Sequence, residues 1–238
     1  MPGIHPMEKE NRLRSFHVLF SVLFLTAVAH AQSPTTAPTT QPISGKRGTP
    51  VQLFNGKDLS GWKWTGQTPG KMEETWTVND GVLHETGKPT GYLSTDKQFG
   101  GNYILIVEQR HLQRGGGGIL FGITGEDKVW PVCMQVQGSL GSYGDLVNQG
   151  KFKWTVDQSR YRASANDSRV FKSGPMSEKP MNEWNTVVLI VDHGTVSVEV
   201  NGVLQNVAKD MPDLSGAIGL QAEGAAMEFR KIELIPID

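Results

Sequence analysis

The chain has 238 residues, with 23 Lys and Arg against 24 Asp and Glu and a formal net charge of −1, so no cationic surplus is available to hold a polyanion. No run of Lys and Arg interleaved with aromatics marks a nucleic-acid groove, and nucleic acid is excluded as a partner. The single cysteine, Cys133, rules out an intrachain disulfide, so stability must come from a core.

Lys9, Arg12 and Arg14 precede an apolar stretch from Phe16 to Ala29, which ends in Ala29-His30-Ala31. A charged start, a short apolar run and an A-x-A site predict a cleavable signal peptide over residues 1–31. The apolar run falls short of the ~20 residues that a membrane-spanning helix needs. The expected product is free of the membrane after cleavage and periplasmic or secreted. Residues 32–50 are a Thr/Pro-rich run with little to bury and read as a disordered linker. Residues 51–238 form a length of chain that suits a single domain able to fold without staples.

From Val51 onward, short apolar or alternating runs are separated by Gly, Asn and Asp, with no sustained helical period. The spacing predicts strands over 75–78, 82–85, 102–112, 118–123, 132–137, 186–192, 195–201, 217–222 and 227–234. Asn79-Asp80-Gly81, His193-Gly194 and Asn201-Gly202 supply residues that tolerate positive φ, as tight hairpins require. An all-β, antiparallel jelly-roll β-sandwich follows, with a closed barrel as the alternative. Helix is expected only as short turns such as Lys57 to Ser60. The glycines 115–118 read as a flexible hairpin connection, because no Lys-Ser/Thr or helix start follows them to make a phosphate loop. Residues 138–154 read as a long Gly-rich loop.

Alternation assigns faces. In the strand 102–112, Ile104, Ile106, Glu108 and Arg110 share one face, and His111 belongs to the other. In 132–137, Cys133, Gln135 and Gln137 share a face. In GAIGLQAEG, Gln221 and Glu223 stand together. If these faces coincide, one sheet carries an amide-rich, carboxylate-bearing floor suited to sugar hydroxyls, beside aromatic platforms such as Trp130, Tyr143 or Trp154. The bland alternatives are a salt bridge at a sheet rim for Glu108 and Arg110, solvent-facing glutamines and core tryptophans. His84, His111 and His193 lie far apart in sequence, and neither H-E-x-x-H nor G-x-S-x-G occurs, so neither a zinc protease nor a serine hydrolase is indicated.

LFNGKDLSGW, WTVNDGVL, GYLST, YILIVEQR, GGGILF, the WP…QVQ…GD region, EWNTVVLIV, the VNG hairpin and IGLQAEG…FRKIEL occur in that order. In this the region from Val51 to the C-terminus resembles the 3-keto-disaccharide hydrolase domain family. The resemblance implies a concanavalin-like sandwich and an exported, carbohydrate-active protein that cleaves the glycosidic bond of 3-keto sugars. It also implies a small saccharide or glycoside substrate, supplied by a separate sugar 3-oxidoreductase. A C3 ketone acidifies the C2 hydrogen, so a base can form an enolate that expels the C1 substituent, after which water adds back. One base and an enolate stabiliser suffice. On this reading Glu108 is expected as the base, or as the holder of a divalent cation, and Arg110 as the stabiliser. Gln135, Gln137, Asp145, Trp154, Gln221 and Glu223 are expected to make up the substrate-binding set. Asp145 is expected to hold a cation or to anchor its loop. A lectin-like, non-catalytic carbohydrate-binding domain is the competing reading. A laminarinase-like glycanase is disfavoured, since no strand carries two suitably spaced carboxylates.

Overall fold

The computed structural model describes residues 1, 3 and 41–238. The expected signal peptide, apart from residues 1 and 3, and the expected linker up to residue 40 lie outside the described residues. From Gln41 on, the segment expected as a spacer runs against the domain. Ser44 N–H donates to Asp192 Oδ2 at 2.7 Å, Ile43 packs on an apolar cluster, and Gly48 N–H donates to the Pro236 carbonyl at 2.8 Å.

Sixteen strands and one four-residue helix make up the described fold. In chain order these are β1 (Val51–Gln52), β2 (Trp62–Gly66), α1 (Met72–Thr75), β3 (Trp76–Asn79), β4 (Val82–Glu85), β5 (Gly91–Thr95), β6 (Tyr103–His111), β7 (Gly116–Thr124) and β8 (Val132–Gln137). They continue with β9 (Leu146–Asn148), β10 (Tyr161–Ala163), β11 (Ser168–Val170), β12 (Asn185–Asp192), β13 (Thr195–Val200), β14 (Val203–Ala208), β15 (Ala217–Glu223) and β16 (Met227–Pro236). The first sheet runs β14-β13-β12-β6-β16-β4-β3 with β1 on β16, and the second runs β10-β11-β9-β8-β7-β15-β5-β2. All strand pairs are antiparallel.

The turn chemistry acts as its residues dictate. Asp80-Gly81, His193-Gly194 and Asn201-Gly202 each place two successive residues at positive φ, between 45° and 79°, the two-residue hairpin turn whose twist matches the strands it joins. Lys57 to Ser60 is not helical. There Asn55 Oδ1 accepts from the Lys57 and Asp58 N–H groups, and Asp58 Oδ1 accepts from Ser60 N–H, so side-chain acceptors replace the backbone bonds of a helical turn.

The sandwich core lies between the sheets. Leu105, Val107, Val187, Leu189, Phe229 and Leu234 of the first sheet face Ile119, Phe121, Met134, Val136, Ile218 and Leu220 of the second, all of them buried. Each such side chain contributes roughly 1.5–3 kcal/mol by leaving water. Because side chains alternate, this inner set fixes the outer one. Cys133, Gln135 and Gln137 of β8 and Gln221 and Glu223 of β15 point away from the core, onto the outer face of the second sheet.

Candidate functional site

The outer face of the second sheet forms a cleft of about 640 Å³ lined by Gln135, Gln137, Gln149, Arg169, Gln221 and Glu223, with Trp130, Asn166 and Asp167 among the residues around it. Register explains the convergence. Gly118 of β7 pairs with Gln137 on one side and Gln221 on the other, and Gly116 pairs with Glu223. Of the glycines expected as a flexible connection, Gly116, Gly117 and Gly118 are therefore the start of a central strand. Their missing side chains make the floor: a Cβ on Gly118 would sit 2.4 Å from Gln135 Nε2, and one on Gly116 would sit 3.0 Å from Glu223 Oε2. Long polar side chains lie across the strand in the space that side chains of β7 would otherwise fill.

Four of the expected binding residues, Gln135, Gln137, Gln221 and Glu223, meet in this cleft. Gln135 and Gln221 are buried and joined by a 2.7 Å hydrogen bond. Gln137 Oε1 accepts from Gly138 and Ser139 N–H, tying the floor to the following loop. Glu223 is half-buried, and desolvation raises its carboxyl above the ordinary value of 4.5. Trp130 is 52% exposed among the lining residues, an apolar ring free to stack on a sugar face.

Asp145 does not line the cleft but fixes a residue that does. Its Oδ2 accepts from Arg169 Nε at 2.9 Å and also from Nη2, while its Oδ1 accepts from Lys172 N–H at 2.8 Å. Both oxygens are thus engaged and the nearest charge is cationic, so this carboxylate fits an anchor and not a cation ligand. Among the described residues, no group of three or more His, Cys, Asp or Glu is placed to hold a metal ion.

Glu108 and Arg110 are not brought to this floor. They occupy the face of β6 opposite to its core residues Leu105 and Val107, on the first sheet, whereas the cleft lies on the second. Glu108 accepts from Arg230 Nε at 2.5 Å, Arg110 Nε donates to Glu228 Oε2 at 2.5 Å, and His84 also meets Glu228 at 2.9 Å. Both guanidiniums lie over the Trp184 ring, 4.6 and 4.4 Å from its centroid. Alternation gave the face of these residues correctly, but it carries no information on which sheet a strand joins. Trp154 is also elsewhere: it packs on the core and edge-on to Tyr161 at 6.4 Å, beside a separate, shallower recess. Tyr143, considered as a platform, is buried in the sandwich with its hydroxyl 2.7 Å from His111 Nδ1.

Sequence reasoning missed Gln149 and Arg169. Gln149 falls within 138–154, expected as loop, and Arg169 in a stretch where no strand is expected, but β9 and β11 extend the second sheet there, and Arg169 pairs with Val147, which pairs with Gln135. Three-residue strands leave almost no alternation to read, so the only local signal was the polar-apolar pattern of Ser168, Arg169 and Val170.

The sequence and the fold have known counterparts. A 3-keto-disaccharide hydrolase of Bacteroides thetaiotaomicron is 26% identical over 157 residues, which cover 61% of this chain and 53% of that protein; the chain thus spans about half the length of this curated relative. Among solved structures, a Parabacteroides distasonis protein assigned as a glycosyl hydrolase superposes with a TM-score of 0.60 at 17% identity, covering 81% of this chain and 100% of the other. A Bacillus licheniformis β-glucanase superposes with a TM-score of 0.52 at 12% identity over 82% of this chain and 99% of the other. These two likenesses show the jelly-roll sandwich. Residues 49–235 match the model of the 3-keto-alpha-glucoside-1,2-lyase-like domain, and the chain belongs to that family of carbohydrate-active, glycosyl-hydrolase-like proteins.

Proposed function

We propose that this protein cleaves the glycosidic bond of a 3-keto glycoside by elimination and rehydration, with Glu223 as the base. Glu223 is a half-buried carboxyl in a sugar-sized cleft whose affinity for a proton is raised by desolvation, and that observation carries the reading. Its carboxylate takes the C2 proton, the C2–H electrons form the enolate of the C3 ketone, and the enolate expels the C1–O bond pair to the leaving alcohol, which takes up a proton. Water then adds across the C1–C2 double bond to give the free 3-keto sugar. The Arg169 guanidinium, held in place by Asp145, supplies positive charge for the developing enolate. Trp130 and the glutamines position the ring. The family and the named relative support the substrate class, and the keto group makes a single base sufficient. A separate sugar 3-oxidoreductase supplies the oxidised substrate, and the protein works after export, as the charged, apolar and A-x-A start of the chain suggests.

The test is incubation of the purified protein with a 3-keto glucoside and its unoxidised parent, alongside Glu223→Gln. Aglycone release from the keto form alone, lost in the variant, supports the elimination. Saturable binding with release from neither sugar replaces it with the carbohydrate-binding reading.

A further inference from the structure

The floor of the cleft holds a chain of side-chain amides whose direction is set by the backbone. Gln135 Nε2 donates to the Gly117 carbonyl at 3.2 Å and to Gln221 Oε1 at 2.7 Å, and Gln135 Oε1 accepts from Gln149 Nε2 at 2.7 Å. A backbone carbonyl only accepts, so the atom of Gln135 beside Gly117 is its nitrogen. Both neighbours follow from that single fact: Gln149 turns its nitrogen to Gln135, and Gln221 turns its oxygen. At the far end the Cys133 thiol meets Gln149 Oε1 at 3.5 Å, which agrees with the same polarity. Gln135 and Gln221 are each 2% exposed, so reversing either amide would press oxygen against oxygen, or nitrogen against nitrogen, where water cannot repair the loss. The bond between them crosses β7 over Gly118, and a Cβ there would displace Gln135 Nε2.

What the chain leaves over is Gln221 Nε2. It has no hydrogen-bond partner among the described residues, it is not one of the enclosed unpartnered atoms, and its side chain lines the cleft. An amide nitrogen carries two N–H groups and no lone pair available to accept, so this end of the chain only donates. Glu223 stands two residues along on the same face of β15.

We infer that Gln221 is the group that distinguishes a carbonyl from a hydroxyl in this cleft, and that the sugar position held over it is the oxidised one. A ketone oxygen only accepts, and it meets the two N–H groups with nothing left to satisfy. A hydroxyl in the same place accepts as well, but its own proton then points away from a donor-only group and must find another acceptor or go without. The inference rests on the reading of the cleft as a site for oxidised sugars, and it names the residue that enforces that choice. The loss of about one neutral hydrogen bond corresponds to a preference of about fivefold to tenfold.

The measurement is calorimetric binding of a 3-keto glucoside and its parent glucoside to the full chain carrying Glu223→Gln, so that bound sugar is not consumed. Gln221→Glu and Gln221→Met are then added to that background. The Gln221 protein is expected to bind the keto sugar about five to ten times more tightly than the parent. Gln221→Glu still accepts from Gln135 but presents only acceptors to the cleft, so the preference should invert in favour of the hydroxyl sugar. Gln221→Met, uncharged and of similar length, should bring the ratio close to one. Equal affinities in the Gln221 protein, binding of neither sugar, or a keto preference that survives both substitutions overturns the inference. A preference that follows Gln221, in a protein that releases no aglycone with Glu223 intact, overturns the cleavage reading and leaves this one standing.

Discussion

Asp145 holds Arg169 by two donors at one oxygen, Nε at 2.9 Å together with Nη2, and turns its other oxygen to the Lys172 N–H. Asp145 is 2% exposed, so the guanidinium at the cleft is held from behind by a buried charge. Asp145→Asn keeps the volume but removes the charge and replaces one acceptor with a donor. It is expected to cost about 1.5–3 kcal/mol of stability, the range for hydrogen bonds to charged groups. It should also lower kcat/KM on a 3-keto glycoside by about tenfold or more, the equivalent of ~1.4 kcal/mol at the transition state. Thermal unfolding and steady-state kinetics read the two effects separately.

Gly118→Ala puts a methyl group 2.4 Å from Gln135 Nε2 and 2.8 Å from the Val136 carbonyl. The amide can swing away but the carbonyl cannot, so the change should cost about 1–3 kcal/mol by overpacking and weaken sugar binding as Gln135 leaves its place. Gly116→Ala meets the Glu223 carboxylate and backbone carbonyl only at 3.0 Å and should be milder. Denaturant midpoints and sugar affinities for the two variants should fall in that order.

Activity should have an acid limb set by Glu223. A base must be ionised, and desolvation holds this carboxyl above 4.5, so kcat/KM should fall as pH drops through a value higher than that of an exposed glutamate. The limb should vanish, together with most of the activity, in Glu223→Gln.

Two buried groups inside the first sheet oppose each other in their effect on stability. His111, 2% exposed, titrates at about 4 in the folded protein because burial disfavours its charged form, against 6.5 for an ordinary histidine. The unfolded chain therefore binds that proton first as pH falls, and this contribution is complete above 6.5 and lost between 6.5 and about 4. Glu85, fully buried, has its carboxyl pushed well above 4.5 by desolvation. Its contribution has the opposite sign: complete below 4.5, and eroded as pH rises from there through its folded value. Urea midpoints across pH should show a flatter acid side in His111→Gln and a flatter alkaline side in Glu85→Gln, whatever the absolute stability of either variant.

Glu108→Gln tests the placement of the site directly. Its carboxylate serves Arg230 on the outer face of the first sheet, so kcat/KM should stay within about twofold, and stability should fall by no more than about 1 kcal/mol, as for a partly exposed ion pair. A collapse in activity measured by the same assay would return the chemistry to that sheet.

The contrast between Glu108 and Gln221 shows what a sequence can carry. Alternation is local, so the run of 132–137 and the GAIGLQAEG segment are enough to group Gln135 with Gln137 and Gln221 with Glu223 on one face each, and the run of 102–112 is enough to set His111 opposite Glu108 and Arg110. Sheet membership is not local. β6 lies between β12 and β16, while β15 lies between β7 and β5, and nothing within either strand says so. Arg169 was illegible for a third reason: its strand is three residues long, and its partner Asp145 sits 24 residues earlier.

The order of the second sheet also dictates when a cleft can exist. β15, which carries both Gln221 and Glu223, is the last but one of the described strands yet is inserted between β5 and β7, whose residues come more than ninety positions earlier. Until it arrives, β5 and β7 have no partner in common, and each presents an unfilled edge. Closure of so long a loop is slow, and open edges invite pairing with other chains in the meantime. Residues 217–223 are thus the part that completes the floor, seals the sheet and supplies the proposed base, so a chain cut short before Ala217 has neither an intact second sheet nor the residues proposed for its chemistry.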